Sequence, residues 1–106
     1  MYYLHTFLYG QYKGGDHLKK IRVGLSPLAR NINLPTVITT ATLPKEFTEK
    51  IFIATQVGEI LYLDDNNTPV TFLDISSRVI ELGYQNGYDE RGLLGLAFHP
   101  RFNNNG

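Results

Sequence analysis

The sequence predicts an all-β fold, and three observations carry that prediction. Short runs rich in β-branched and aromatic residues recur at close intervals. Gly, Pro, Asn and Asp punctuate the gaps between them. No stretch carries the 3.6-residue periodicity of a long amphipathic helix. A sandwich, a barrel and a propeller all satisfy this pattern.

Residues 1–33 form the least regular part and are set apart as an N-terminal arm. Tyr2, Tyr3, Phe7, Tyr9 and Tyr12 cluster there, Gly14-Gly15-Asp16 reads as a turn, and Lys19, Lys20 and Arg22 alternate loosely with Ile21 and Val23. An aromatic strand and an irregular arm laid on a later element fit equally well. His17 beside Asp16 is half a metal site, but no third ligand stands at ligand spacing.

From residue 34 onward the strands are clear. Asn31-Ile32-Asn33-Leu34-Pro35 leads into Thr36–Ala41, β-branched almost throughout. Leu43-Pro44-Lys45-Glu46-Phe47 is a turn whose φ Pro44 fixes. Lys50–Thr55 is a second apolar strand and Glu59–Leu63 a third, and the tight Gln56-Val57-Gly58 connection makes them a hairpin.

Asp64-Asp65-Asn66-Asn67-Thr68-Pro69 is the plainest loop. Its oxygens suit calcium in kind, but an EF-hand loop needs a glycine at its sixth position and a distal glutamate, and neither is placed correctly. The loop reads instead as a hairpin tip whose Asx side chains bond their own backbone. Asn66-Asn67-Thr68 also satisfies the glycosylation sequon, which matters only in an exported eukaryotic protein. Val70–Asp74 is a fourth strand, and Ile75–Leu82 suits a short helix or an extended loop.

The charged turn Asp89-Glu90-Arg91 delivers the chain into Gly92-Leu93-Leu94-Gly95-Leu96-Ala97-Phe98, which His99-Pro100 halts. Leu93–Phe98 reads as a strand buried on both faces. Gly92 and Gly95 mark places where another backbone, or a ligand, comes close.

The run from Glu90 to Pro100, with Phe102 and Asn103–Gly106, closely resembles a segment of the glucose/sorbosone dehydrogenase family. These are six-bladed β-propellers that include soluble quinoprotein sugar dehydrogenases and Hedgehog-interacting-protein-like propellers. The resemblance selects the propeller from the all-β folds. It implies that residues 34–106 are an N-terminal portion of one, about one blade plus the start of the next. A blade takes about 40–50 residues and a ring at least four blades, so 106 residues are too few for a ring. In isolation the portion would self-associate through an open strand edge.

The resemblance also assigns roles. In quinoprotein members the loop before the Gly-Leu-Leu-Gly strand sets a Gln or Glu at the mouth of the central funnel, beside pyrroloquinoline quinone (PQQ) and the sugar. Glu90 stands there, where it would accept hydrogen bonds from sugar hydroxyls. Gly92, Gly95, His99 and Pro100 belong to the structural motif. His99, tempting as a general base, is expected to close the strand by packing. The catalytic histidine, the quinone-binding cations and the calcium ligands would lie beyond residue 106, so no catalytic residue is expected within the chain. The expected function is therefore a portion of a PQQ-dependent aldose dehydrogenase, inactive alone. A non-enzymatic binding module like the Hedgehog-interacting relatives is the alternative, and a vestigial structural product the third reading.

Bulk properties narrow the partners. Ten basic and ten acidic residues cancel, so charge does not point to nucleic acid or to an anionic membrane. The absence of cysteine excludes disulfides and thiolate metal sites, and leans against the cysteine-rich extracellular relatives. No run approaches the ~18 apolar residues of a membrane span. Residues 1–9 lack a basic start and a cleavage site, whereas relatives are often periplasmic or secreted, so the compartment stays open.

Overall fold

A computed structural model describes residues 2–7, 22–83 and 89–106. Two sheets account for its regular structure. β1 (Tyr2–Phe7) pairs antiparallel with β2 (Arg22–Pro27) as a two-stranded ribbon, so the described parts of the arm include two strands. The larger sheet is a four-stranded antiparallel meander of β3 (Pro35–Thr42), β4 (Glu49–Thr55), β5 (Glu59–Leu63) and β6 (Pro69–Asp74), in chain order. All four strands fall where the β-branched runs put them.

The connections are built from the residues the sequence offers. Glu46 N–H donates to the Leu43 carbonyl at 3.0 Å, with Pro44 at the first central position and Lys45 at φ 68°. That is the signature of a type II turn. Gly58, at φ 102°, closes the β4–β5 hairpin by donating to the Thr55 carbonyl, while the buried Thr55 hydroxyl accepts the Glu59 N–H. At the β5–β6 tip, Asp64 Oδ1 accepts the N–H groups of both Asn66 and Thr68 at 2.8 Å, the Asx bonding expected of that loop. After β6 the chain takes a single 3-10 turn, Ser76–Arg78, opened by Asp74 Oδ1 accepting the Ser76 N–H.

β4 is the centre of the sheet and is apolar on both faces, as its unbroken Ile51-Phe52-Ile53-Ala54 run requires. Phe52 and Ala54 point to one side with Ala41 and Ile60, where Leu93, Leu96, Phe98 and Phe102 cover them. Ile53 points to the other with Leu63, covered by Leu28, Ala29 and Ile32. Phe52 and Ile53 are fully buried, and each such side chain contributes about 1.5–3 kcal/mol. The sheet is therefore the middle of three layers, and the outer two are single passes of chain.

The ladder of the meander slips register twice. Between Pro35↔Thr55 and Val37↔Ala54 it leaves Thr36 unmatched; between Leu61↔Thr71 and Ile60↔Leu73 it leaves Phe72 unmatched. A bulge re-aims the extra side chain, and both of these reach the C-terminal layer. Thr36 Oγ1 donates to the Leu93 carbonyl at 2.9 Å. The Phe72 ring meets Phe52, Phe98 and Phe102 at centroid separations of 5.2, 6.4 and 6.3 Å.

The reading of Leu93–Phe98 as a strand buried on both faces needs correction. Among the described residues it joins no ladder, and Leu94 is 60% exposed. The reason is geometric: the segment lies over one face of the sheet, so only Leu93, Leu96 and Phe98 find apolar neighbours. Gly95 likewise has open space around it rather than a close neighbour. The Asp16–His17 pair, the Gly14–Asp16 turn, Tyr9, Tyr12 and residues 84–88 lie outside the described residues.

Candidate functional site

The Asp89–Arg91 turn sits at the end of the meander where β3 begins and β4 ends, and one side chain holds it there. Gln56 Nε2 donates to the Asp89 carbonyl at 2.5 Å and to the Arg91 carbonyl at 2.7 Å. The two bonds straddle Glu90. The Gln56 backbone completes the attachment: its carbonyl accepts the Leu93 N–H at 2.9 Å, and its own N–H donates to the Leu34 carbonyl at 2.8 Å. Leu34 takes φ 46° to supply that carbonyl, a conformation uncommon for a bulky apolar residue. Gln56 thus ties the entry to β3, the end of β4 and the charged turn together.

Gly92 permits the approach. It lies at φ 121°, and a Cβ there would run into the Gln56 carbonyl oxygen and stand 2.8 Å from Gln56 Cγ. No L side chain fits that position without moving one of the two segments.

Asp89 organises the turn from within. Its carboxylate accepts four N–H groups: Gly83 N at 2.8 Å, Arg91 N at 3.0 Å, Arg91 Nε at 2.9 Å and Arg91 Nη2 at 2.7 Å. Its side chain is only 5% exposed. The Arg91 guanidinium and backbone N–H hold the Asp89 carboxyl far below the usual carboxylate range, and the same pairing raises Arg91. Between these two residues Glu90 is exposed on a backbone clamped at both neighbours. A carboxylate presented in this way can accept hydrogen bonds from hydroxyl groups of a ligand.

The remaining motif residues sit about a strand's length away. His99 and Pro100 form the turn after the extended segment, in which Phe102 N–H donates to the His99 carbonyl at 2.9 Å. His99 Nδ1 accepts the Arg101 N–H at 3.1 Å and lies 3.2 Å from the Asn105 amide nitrogen. The His99 ring therefore braces the short final helix, α1 (Phe102–Asn105). It is not near Glu90: Pro35↔Thr55 and Thr42↔Glu49 mark opposite ends of β3, and seven residues at about 3.3 Å each separate them by roughly 23 Å.

The quinone and calcium implied by the resemblance can be set against these groups. A polyanionic quinone needs cations available to pair with it, yet Arg91, the cation adjoining Glu90, has Nε and Nη2 committed to Asp89. Calcium takes about six to eight oxygen ligands, whereas both Asp89 oxygens already accept N–H groups. Among the described residues no three His, Cys, Asp or Glu side chains gather in one place. Asp89 and Arg91 are engaged with one another and offer a poor fit to either group.

Sequence reasoning missed Gln56, Thr36 and Phe72. Gln56 carried one faint signal, a long amide at the first position of a tight hairpin, and the two bulged residues carried none. No protein-family model matches this chain, and no solved structure matches it. Among the described residues no helix is long and apolar enough to cross a membrane.

Proposed function

We propose that residues 34–106 are about one blade and the start of the next in a sugar-dehydrogenase-like β-propeller, in which Glu90 faces the hub and accepts hydrogen bonds from the hydroxyls of an aldose. The observation that carries this reading is the clamp on Glu90. One amide grips the carbonyls on both sides of it, and Asp89 neutralises the neighbouring Arg91. A surface carboxylate carried on backbone fixed at both neighbours suits recognition of an uncharged polar ligand.

Three features support the propeller. A four-stranded antiparallel meander is the unit from which blades are made. Both faces of this one are apolar and covered by flanking chain, as a blade is covered by its neighbours. The extended Leu93–Phe98 segment has no ladder partner among the described residues, which suits an inner strand whose own blade lies further along the chain.

In this reading PQQ and calcium are held by residues outside these 106, and oxidation of the sugar at its anomeric carbon belongs to the assembled ring. The test is dye reduction by the longest reading frame that contains this chain, supplied with PQQ and calcium and offered aldoses. Aldose-dependent reduction that Glu90→Ala weakens through KM is expected. No reduction with any aldose would retire the dehydrogenase reading and leave the binding module in its place.

A further inference from the structure

At the end of the sheet remote from Glu90, the final turn of the chain meets the ends of β3 and β4 and leaves a cleft of about 300 Å³. That is the lower end of the range for small-molecule sites. Phe98 and Phe102 supply its apolar wall, their centroids 4.7 Å apart and the rings tilted by 51°. Thr42, Glu49, His99 and Asn103 supply its polar groups.

The hydrogen-bonding capacity of these groups is complementary and largely unspent. Glu49 Oε1 accepts the Thr40 hydroxyl at 3.1 Å, which leaves the other carboxylate oxygen as an acceptor. His99 Nδ1 faces two N–H donors, from Arg101 and Asn105. In a neutral imidazole that puts the proton on Nε2 and makes it a donor. The Asn103 amide and the Thr42 hydroxyl each offer both functions. The cleft holds one formal charge, Glu49, beside donors that a bound cation would have to displace. Matched donors and acceptors around aromatic carbon favour an uncharged ligand with hydroxyls on its rim and C–H groups on its face.

We propose that this cleft binds a neutral, pyranose-sized polyhydroxylated ligand, its C–H face against Phe98 and Phe102 and its hydroxyls on Glu49, His99 and Asn103. The site is independent of the Glu90 reading, since it lies at the other end of β3.

Saturation-transfer NMR with D-glucose, D-galactose and D-mannose tests it on the 106-residue chain. Saturable transfer with a Kd in the millimolar range is expected for at least one sugar. Glu49→Gln and Asn103→Ala, both at exposed positions, should each weaken it about tenfold, and Glu81→Gln should not change it. Absence of saturable transfer at about 100 mM of each sugar, well above a millimolar Kd, would overturn the proposal. So would transfer that survives both cleft variants. Transfer abolished by Glu90→Gln instead would overturn it too, while favouring the hub reading.

Discussion

Replacing Gly92 by alanine tests whether the close approach of the charged turn to Gln56 is what holds that end of the molecule together. The new Cβ would collide with the Gln56 carbonyl oxygen and come within 2.8 Å of Gln56 Cγ, at a φ of 121°. Holding an L-residue in such a region costs about 1–3 kcal/mol, before the collision is counted. The alternative is for the turn to lift away. That forfeits the two Gln56 Nε2 bonds and the Leu93 N–H bond, at about 1 kcal/mol each. Either route costs about 3 kcal/mol, so the opening equilibrium of residues 89–93 should rise roughly a hundredfold. Hydrogen exchange read by mass spectrometry on peptides spanning Gln56 and Leu93 measures this directly. Gly95→Ala is the internal control, because a Cβ there meets nothing within 4 Å, and its effect should stay within about 0.5 kcal/mol. Equal protection in the two variants would refute the argument.

Further consequences can be measured alongside. Gln56→Glu should loosen the turn more than Gln56→Ala, because it aims a carboxylate at two carbonyl oxygens instead of leaving them free; exchange at Arg91–Leu93 gives the order. Asp89 is charged in the docked turn and its pKa is depressed from 3.8. Its contribution is therefore complete above that ordinary value and is lost as pH falls through the lower folded value. Docking monitored by the Gly83 amide shift should stay level down to about pH 5 and give way only in stronger acid; loss of the turn between about pH 8 and 5 would contradict the assignment. Phe98→Ala removes a half-buried ring whose centroid lies 4.6 Å from that of Phe52 at a tilt of 54° and should cost about 2 kcal/mol, below the roughly 3–5 kcal/mol of a fully buried site, as read by thermal melting under circular dichroism. On the proposed ring, the 106-residue chain by itself should melt broadly and with a concentration-dependent midpoint, and a sharp melt from a monomer in analytical ultracentrifugation would tell against that proposal.

What could be read from the sequence was what depends on neighbours in the chain. Thr36–Ala41, Lys50–Thr55, Glu59–Leu63 and Val70–Asp74 are strands because branched side chains suit a pleated surface, and the structure extends them by only a residue or so at their ends. Gly58 and Asp64 announced their turns because a positive φ and an Asx bond are local needs. Leu93–Phe98 misled because its composition says apolar, while burial on the second face depends on what else packs there. Thr36 and Phe72 were invisible for a related reason. A bulge is a property of two strands in register, and nothing in either strand alone marks which residue is left over. Gln56 combines both difficulties, since its amide acts on carbonyls more than thirty residues away.

The layering of the molecule bears on why the two proposed sites lie at the two ends of the sheet. β4 buries residues on both faces, so the sheet needs a cover on each side, and here each cover is one pass of chain. A single pass can satisfy the apolar middle of a sheet but not its ends, where strands stop and backbone groups lose their ladder partners. At one end the deficit is met by Gln56, Leu34 and the turn that carries Glu90. At the other it is met partly by the Thr40–Glu49 bond and the His99 brace, and the cleft between them keeps unspent donors and acceptors. If the covers were replaced by whole sheets, as the proposed ring would do, the middle of this sheet would change little. Both ends would remain at the surface, and it is there that substitutions should alter binding without altering the fold.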